Sequence, residues 1–398
     1  MKYDFTSVID RYGRDALAVE ALGQSGYPAA PKAGFDAIPM WVADMNFPTA
    51  PAIVDALQKR AAHPLYGYFQ APEAYYNAII RWHKARNGVT GLAKQHIGHE
   101  NGVLGGLMSA VSALCSAGSK VLVHSPTYIG FTSTLQNGGY EIVHSPLRRD
   151  EDGVWRMDFA DMEAKLSSGD IRVLIFCSPH NPTGRVWERW EIEEVANLCE
   201  KYDVTIISDE IWSDIILRGK HVPTQSVPAA RERTVALYAP SKTFNLAGLV
   251  GSYHVVYNDE LRAALRRQGS LSHYNNGNVL SMHALMAGYS CHGADWVNAL
   301  CDTIRGNVDF ACDFIAQHFP GVSLARPQAT YMLFLDCTDW CEKHGVTLDE
   351  LLQRGWDVGV AWQDGRPFHG PCHIRMNLAL PLSRVQEAFA RLEKYVFV

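Results

Sequence analysis

The sequence lacks any long apolar run: no window approaches the roughly 18 uninterrupted apolar residues that a membrane-spanning helix needs. It also lacks a basic excess, since 36 Lys and Arg against 42 Asp and Glu leave a formal charge of −6. That balance excludes a broad electrostatic footprint for nucleic acid, and no Lys/Arg cluster marks a membrane surface. Among nine cysteines there is no CxxC pair, and several sit in apolar runs such as VLIFC around Cys177 and AVSALC around Cys115. Reduced, mostly buried thiols are therefore expected rather than a disulfide scaffold. The opening MKYDFTSVIDRYGRD carries Lys, Asp and Arg where a signal peptide would need an apolar core, so a cytoplasmic location is expected. There is no internal repeat and no low-complexity linker.

What is present is an alternation of short β-rich runs with amphipathic stretches. Strands are predicted at Lys120–His124, Glu141–His144, Arg172–Cys177, Thr205–Ser208 and Val235–Tyr238, with helical patterns near 103–116, 127–137, 158–167 and 188–202. Several strands are continuously apolar, as in a parallel sheet covered on both faces. An α/β fold with a three-layer αβα large domain over 46–285 is expected. After about residue 285 the texture changes to a long helix near 293–318, a strand at Tyr331–Asp336, a helix near 347–355, the strand-like IRMNLAL at 374–380 and a closing helix at 383–395. A smaller α+β domain is expected from 286–398 completed by 1–45. Its 398 residues are enough for two cores.

In such a sheet, ligands bind beyond the C-terminal strand ends. Three clusters fall there: Ser178–Gly184 (SPHNPTG) after RVLIFC, Asp209-Glu210 after TIIS, and Ser241–Asn245 (SKTFN) after VALYAP. Singly, each has a bland reading: Asn-Pro-Thr-Gly is good turn chemistry, an Asp at a strand end is often a helix cap, and a lone Lys is usually solvated. Their order at successive strand ends favours a shared site. Asn101–Gly106 opens a helical stretch whose free amides suit an anion. No acidic residue follows a GxGxxG spacing about 20 positions on, which argues against a dinucleotide fold. His63, His83, His273 and His369 fall at no metal-ligand spacing, and Cys337 and Cys341, one helical turn apart, are followed by no partner ligands. No metal is expected.

SPHNPTG, SDEI and SKTFNLAGL resemble the signature series of the class I/II aminotransferases, the fold-type I pyridoxal-phosphate enzymes. Met40–Met45 (MWVADM), Tyr66-Gly67-Tyr68, PHNPTGRVW and SKTFNLAGL are closer still to the cystathionine β-lyase and cystalysin-type C–S lyases (the MalY/PatB group). The resemblance runs from about residue 38 to Arg375 and implies an aspartate-aminotransferase-like fold binding pyridoxal 5′-phosphate. It implies that Lys242 carries the cofactor and serves as the base at the substrate Cα. Asp209 would keep the pyridine nitrogen protonated, Asn181 would donate to the phenolic oxygen, and Tyr128 would stack on the ring. Gly102, Val103, Leu104 and Ser241 would hold the phosphate, and Trp212 would lie beside the cofactor. Tyr66 or Tyr68 would reach across from a second subunit of a homodimer sharing its active sites. Arg375, with Asn181 and Ala43, would bind the amino-acid substrate, its guanidinium gripping the α-carboxylate through two parallel bonds.

Departures exist. Val250 stands where aspartate-aminotransferase-type sequences have a phosphate-binding Arg, and Ala239 where they often have Ser; the lyases match this chain better at both. Trp212 stands where transaminases have Tyr and the lyases commonly His. Asn46 replaces an Asp, and the N-terminal stretch Ala16–Glu20 differs from the lyases' pattern. The expected reaction is α,β-elimination from L-cystathionine or a related L-cysteine S-conjugate. A transaminase of neutral or aromatic amino acids is the alternative, and a non-catalytic regulatory or partner-binding protein is the alternative of another class.

Overall fold

The computed structural model describes residues 2–271 and 277–398; His273 lies outside them. The chain divides into two compact units. The larger comprises Thr49–His180 and Arg185–Asn298; the smaller comprises Met1–Pro48, Asn181–Gly184 and Ala299–Val398.

The larger unit is built on eight strands: β1 (Ile97–Glu100), β2 (Lys120–Ser125), β3 (Glu141–Arg149), β4 (Trp155–Met157), β5 (Ile171–Cys177), β6 (Thr205–Asp209), β7 (Thr234–Tyr238) and β8 (Ser252–Val255). Their spatial order is β1-β8-β7-β6-β5-β2-β3-β4. The pairs β3/β2, β2/β5, β5/β6 and β6/β7 are parallel, and β8, β1 and β4 close the edges antiparallel. Strand periodicity explains the continuous apolar runs. Val121, Val123, Val173, Ile175, Cys177 and Ile207 face one core, while Leu122, Leu174, Phe176 and Ile206 face the other.

Helices α1 (Pro51–Ala61) and α2 (Glu73–Asn87) precede the sheet, followed by α3 (Gly102–Leu114), α4 (Ile129–Asn137), α5 (Phe159–Leu166) and α6 (Arg189–Lys201). Val103 and Leu107 of α3 and Phe131 and Leu135 of α4 cover the first core; Met162 and Leu166 of α5 and Ile192 and Val195 of α6 cover the second. Helix α3 lies so close to the sheet that a Cβ on Gly106 would come within 2.9 Å of both Glu100 Cγ and Leu237 Cδ2. The short α7 (Pro240–Thr243) follows β7, and α8 (Asp259–Ser270) and α9 (Val279–Gly288) complete the unit with the start of α10 (Cys291–His318).

In the smaller unit, β9 (Met332–Asp336), β10 (Gln363–Asp364) and β11 (His373–Asn377) form an antiparallel sheet with β11 in the middle. Helices α11 (Leu348–Asp357) and α12 (Leu382–Tyr395) follow the predicted pattern, α11 opening on a capping box between Thr347 and Glu350. The N-terminal segment joins through Ile38–Pro39, which pairs in parallel with Val360–Ala361. The unit boundary falls at 299 rather than 286, because the first turns of α10 pack inside the larger unit, with Trp296 stacked on Phe244. Asn181–Gly184 also joins the smaller unit, where Gln328 and Ala329 donate backbone N–H groups to Gly184 O. The IRMNLAL strand stops at Asn377, since the Ala379 N–H turns back to Asn377 Oδ1. None of the nine cysteines is in a disulfide; Cys291 is exposed and six are buried. Among the described residues, no helix is long and apolar enough to cross a membrane.

Candidate active site

An open parallel sheet presents a crevice beyond its C-terminal strand ends, where the strand order reverses. Here the chain winds outward one way from β2 to β3 and the other way from β5 through β7, so the reversal lies between β2 and β5. Tyr128 follows β2, Asp209 ends β6 and Lys242 follows β7, which puts all three on that rim. Register aligns the ends directly, with Asp209 beside Cys177 of β5 and Leu237 of β7.

Asp209 is 4% exposed and accepts the Ile211 N–H at 3.0 Å. Burial pushes its pKa up to about 7, although the Ile211 N–H and the nearby positive charge of Lys242 pull the other way. The next residue behaves oppositely. Glu210 is fully buried, yet it accepts from Ser208 Oγ (3.1 Å), the Thr224 N–H (3.0 Å) and Tyr238 OH (2.8 Å), and pairs with His221 Nε2 (2.8 Å). Burial opposes its ionisation, but these partners, His221 foremost, outweigh it and hold its pKa below the ordinary value. Strand alternation separates the two neighbours: one carboxylate is satisfied within the protein, and the other is held where its ionic form needs a cation.

Lys242 lies with its Nζ 5.8 Å from the centre of the Trp212 ring, and that indole is 2% exposed. The departure at position 212 therefore places an aromatic face against the amine. Tyr128 is the N-cap residue of α4, so that helix begins two residues later than the periodicity alone predicts. Its ring meets Phe131 edge-on at 5.4 Å. Gly130, which the sequence reading passed over, makes this possible: a Cβ there would fall 2.4 Å from Tyr128 Cε1 and 2.9 Å from Leu104 Cδ1. Leu104 and Val103 are in the first turn of α3. Gly102, at φ +73°, opens that turn in a conformation that L side chains rarely adopt. Ser241 is half-buried within α7.

Val250 is exposed at φ +40°, a strained setting for a β-branched residue. Tyr66 and Tyr68 are not buried. Both are exposed on the surface of the larger unit with Leu65, and Tyr66 OH donates to Ala61 O at 2.8 Å. His83, at no metal-ligand spacing in the sequence, is buried against Tyr253 OH at 2.9 Å, and burial lowers its pKa to about 4.

In the smaller unit, Arg375 is far from an exposed strand-edge residue. It sits on the central strand β11, 3% exposed, opposite Phe334 and Gln363. Its Nη1 donates to Asn181 Oδ1 at 3.3 Å, and its Nη2 donates to Trp41 O at 3.1 Å and to Gln363 Oε1 at 2.5 Å. Its guanidinium lies 4.4 Å from the Phe368 ring centre. Gln363 and Phe368 carry no motif and were not legible beforehand. The segment around Ala43 is pinned by Tyr331 OH on Ala43 O (3.0 Å) and by Asn377 Nδ2 on Val42 O (2.8 Å) and Asp44 O (2.6 Å). The departure at Asn46 is absorbed locally: Arg11 pairs with Asp44 and donates to Asn46 Oδ1 at 3.1 Å.

A half-buried amine within electrostatic reach of a buried carboxylate, and a buried guanidinium with aligned donors, suit a carbonyl-bearing cationic ring and an amino acid respectively. A family model for aminotransferases of class I and II matches residues 37–392. Cystathionine beta-lyase PatB of Bacillus subtilis (strain 168) is 34% identical over 367 residues, spanning 90% of this chain and 92% of that protein. The pyridoxal-phosphate-bound C–S lyase of Staphylococcus hominis superposes with a TM-score of 0.88 at 28% identity, covering 98% of each chain. Cystalysin of Treponema denticola, whose crystal structure contains pyridoxal 5′-phosphate, superposes at 0.90 with 26% identity, over 99% of this chain and 98% of that one. With the match spanning nearly the whole sequence, the chain belongs to the class I and II aminotransferase family.

Proposed function

We propose that this protein is a pyridoxal-phosphate-dependent C–S β-lyase, converting L-cystathionine or a related L-cysteine S-conjugate, with water, into a thiol, pyruvate and ammonia. The carrying observation is Asp209, buried at a strand end, raised to about 7 and within electrostatic reach of Lys242. That arrangement fits pyridoxal phosphate, whose protonated ring nitrogen is the cation such a carboxylate needs. The relatives bearing the names cystathionine beta-lyase and C–S lyase supply the reaction class.

When bound, the cofactor supplies a carbonyl for the substrate amine and a ring that accepts the electron pair left at Cα. Lys242 would hold the cofactor covalently and, as a free amine, would take the proton from the substrate Cα. Asp209 keeps a proton at the ring nitrogen. Gly102, Val103, Leu104 and Ser241 offer amides and a hydroxyl to the phosphate. Tyr128 and Trp212 present flat faces, and Asn181 binds the phenolic oxygen. Arg375, oriented by Asn181, Trp41 O and Gln363, binds the α-carboxylate beside the Ala43 segment and so fixes the Cα–H direction. A homodimer is part of this reading: the exposed Tyr66 and Tyr68 are the residues that a second subunit's site would receive. The cytoplasm is the compartment we assign.

The test is turnover of L-cystathionine without any keto acid. Steady release of pyruvate and ammonia is expected. Arrest after one equivalent would instead identify a transaminase, and no visible cofactor band would point to a non-catalytic role. A second expectation concerns Arg375. Arg375→Lys keeps the charge but loses the planar fork, and steady-state kinetics should show KM for the amino acid raised by about 10- to 100-fold.

A further inference from the structure

Lys242 sits on α7, a single four-residue turn that begins with Pro240 at its first position. So short a helix does not hold itself in water, and its geometry must be imposed from outside. Two contacts impose it. Thr49 Oγ1 donates to Phe244 O at 2.6 Å, fixing the turn's far end. Thr243, adjacent to Lys242 and 1% exposed, donates its hydroxyl to Asp214 Oδ2 at 3.0 Å.

Asp214 is an unusual acceptor for this task. It is 4% exposed, five residues beyond Asp209, and burial raises its pKa. Its charge is nevertheless provided for. Trp82 Nε1 of α2 lies 3.1 Å from Oδ1, and Arg86 Nε, one turn further along α2, lies 3.5 Å from Oδ1. Arg86 is itself fixed by Asn298 Oδ1 at 2.7 Å, and Trp82 is stacked on Tyr289 at 4.6 Å. A rigid helix thus holds a carboxylate, and the carboxylate holds the side chain next to the lysine.

We infer that Asp214 and Thr243 form a clamp that sets the direction of the Lys242 side chain, making both positioning residues for its proton transfer. The inference rests on the reading of Lys242 as the cofactor-bearing base. A hydrogen bond to a buried charge is strong and directional, so its loss should cost alignment at the amine more than binding of the substrate.

The experiment uses cofactor-loaded protein and three variants. Thr243→Val keeps the side-chain shape and removes the hydroxyl; Thr243→Ser keeps the hydroxyl; Asp214→Asn replaces one acceptor oxygen by a donor facing Trp82 and Arg86. In Thr243→Val, kcat should fall by about tenfold or more at a KM within about twofold of the parent. The visible circular dichroism of the cofactor band, divided by its absorbance, should fall with it, since that ratio reports orientation and not occupancy. Asp214→Asn should behave likewise, and Thr243→Ser should recover both readouts. If Thr243→Val does not accumulate as folded protein, Thr243→Ala against Thr243→Ser gives the same comparison. Parental kcat and dichroism without the hydroxyl would overturn the clamp, as would failure of the serine to restore them. A parent protein with no borohydride-trappable cofactor at Lys242 is a different result: it removes the reading of Lys242, and the clamp's role with it.

Discussion

Lys242→Ala is expected to abolish turnover, lowering kcat by at least about 10⁴-fold, and to remove the borohydride-trappable link between protein and cofactor. Two functions are lost at once. On the proposed function the amine is the covalent tether, so the variant should bind pyridoxal phosphate only non-covalently and show the absorbance of the free aldehyde. On the same reading the amine is also the base at Cα, a role that the buried groups near it would not take over. Trp212 is an N–H donor without a basic site, and in the proposed function Asp209 serves the ring nitrogen. Absorbance and mass spectrometry after borohydride reduction separate the two losses from misfolding. An unchanged trapped mass on the peptide containing position 242 in the parent would sink the assignment.

Asp209→Asn should lower kcat by roughly 10³-fold, because a neutral amide no longer holds the proton that makes the ring an electron acceptor. The same substitution should stabilise the cofactor-free protein. For Asp209 the folded pKa, about 7, lies above the model value of 3.8. The native state therefore binds more protons than the unfolded state between about pH 4 and 7, and this group's contribution to stability falls as pH rises through that window. Three units correspond to roughly 4 kcal/mol at pH 7 and above, and to nothing below pH 4. Chemical denaturation of cofactor-free parent and Asp209→Asn across that range should show the variant ahead at pH 7.5 and the two converging near pH 4. Loading with pyridoxal phosphate should erase the parent's deficit. A parent-to-variant difference that stays flat across the window would refute the buried, counter-ion-seeking carboxylate.

Much of this was legible because strand-end chemistry leaves local marks. Continuous apolar runs announced the parallel strands, and SPHNPTG, SDEI and SKTFN stood where those strands end. The rest was hidden for physical reasons. Gln363 and Phe368 acquire meaning only through the antiparallel register that sets them around Arg375. Asp214 looks like any acid in WSD until α2, far away in sequence, supplies Trp82 and Arg86. Glu210 shares a motif with Asp209, and only burial and partners tell them apart. The boundary at 286 missed because hydrophobic texture changes before packing does: Trp296 belongs to the core around Phe244. Tyr66 and Tyr68 sit on an exposed surface that one chain leaves uncovered.

The N-terminal segment ahead of the first strand pairing holds a hexapeptide that Arg375 depends on. Trp41 Nε1 donates to Ala18 O, Arg11 grips Asp44 and Asn46, and Trp41 O receives the Arg375 guanidinium. That stretch is a brace and not a loose tail. Trimming it, or burdening it with a bulky fusion, would be felt at the far end of the lever, at the Arg375 guanidinium.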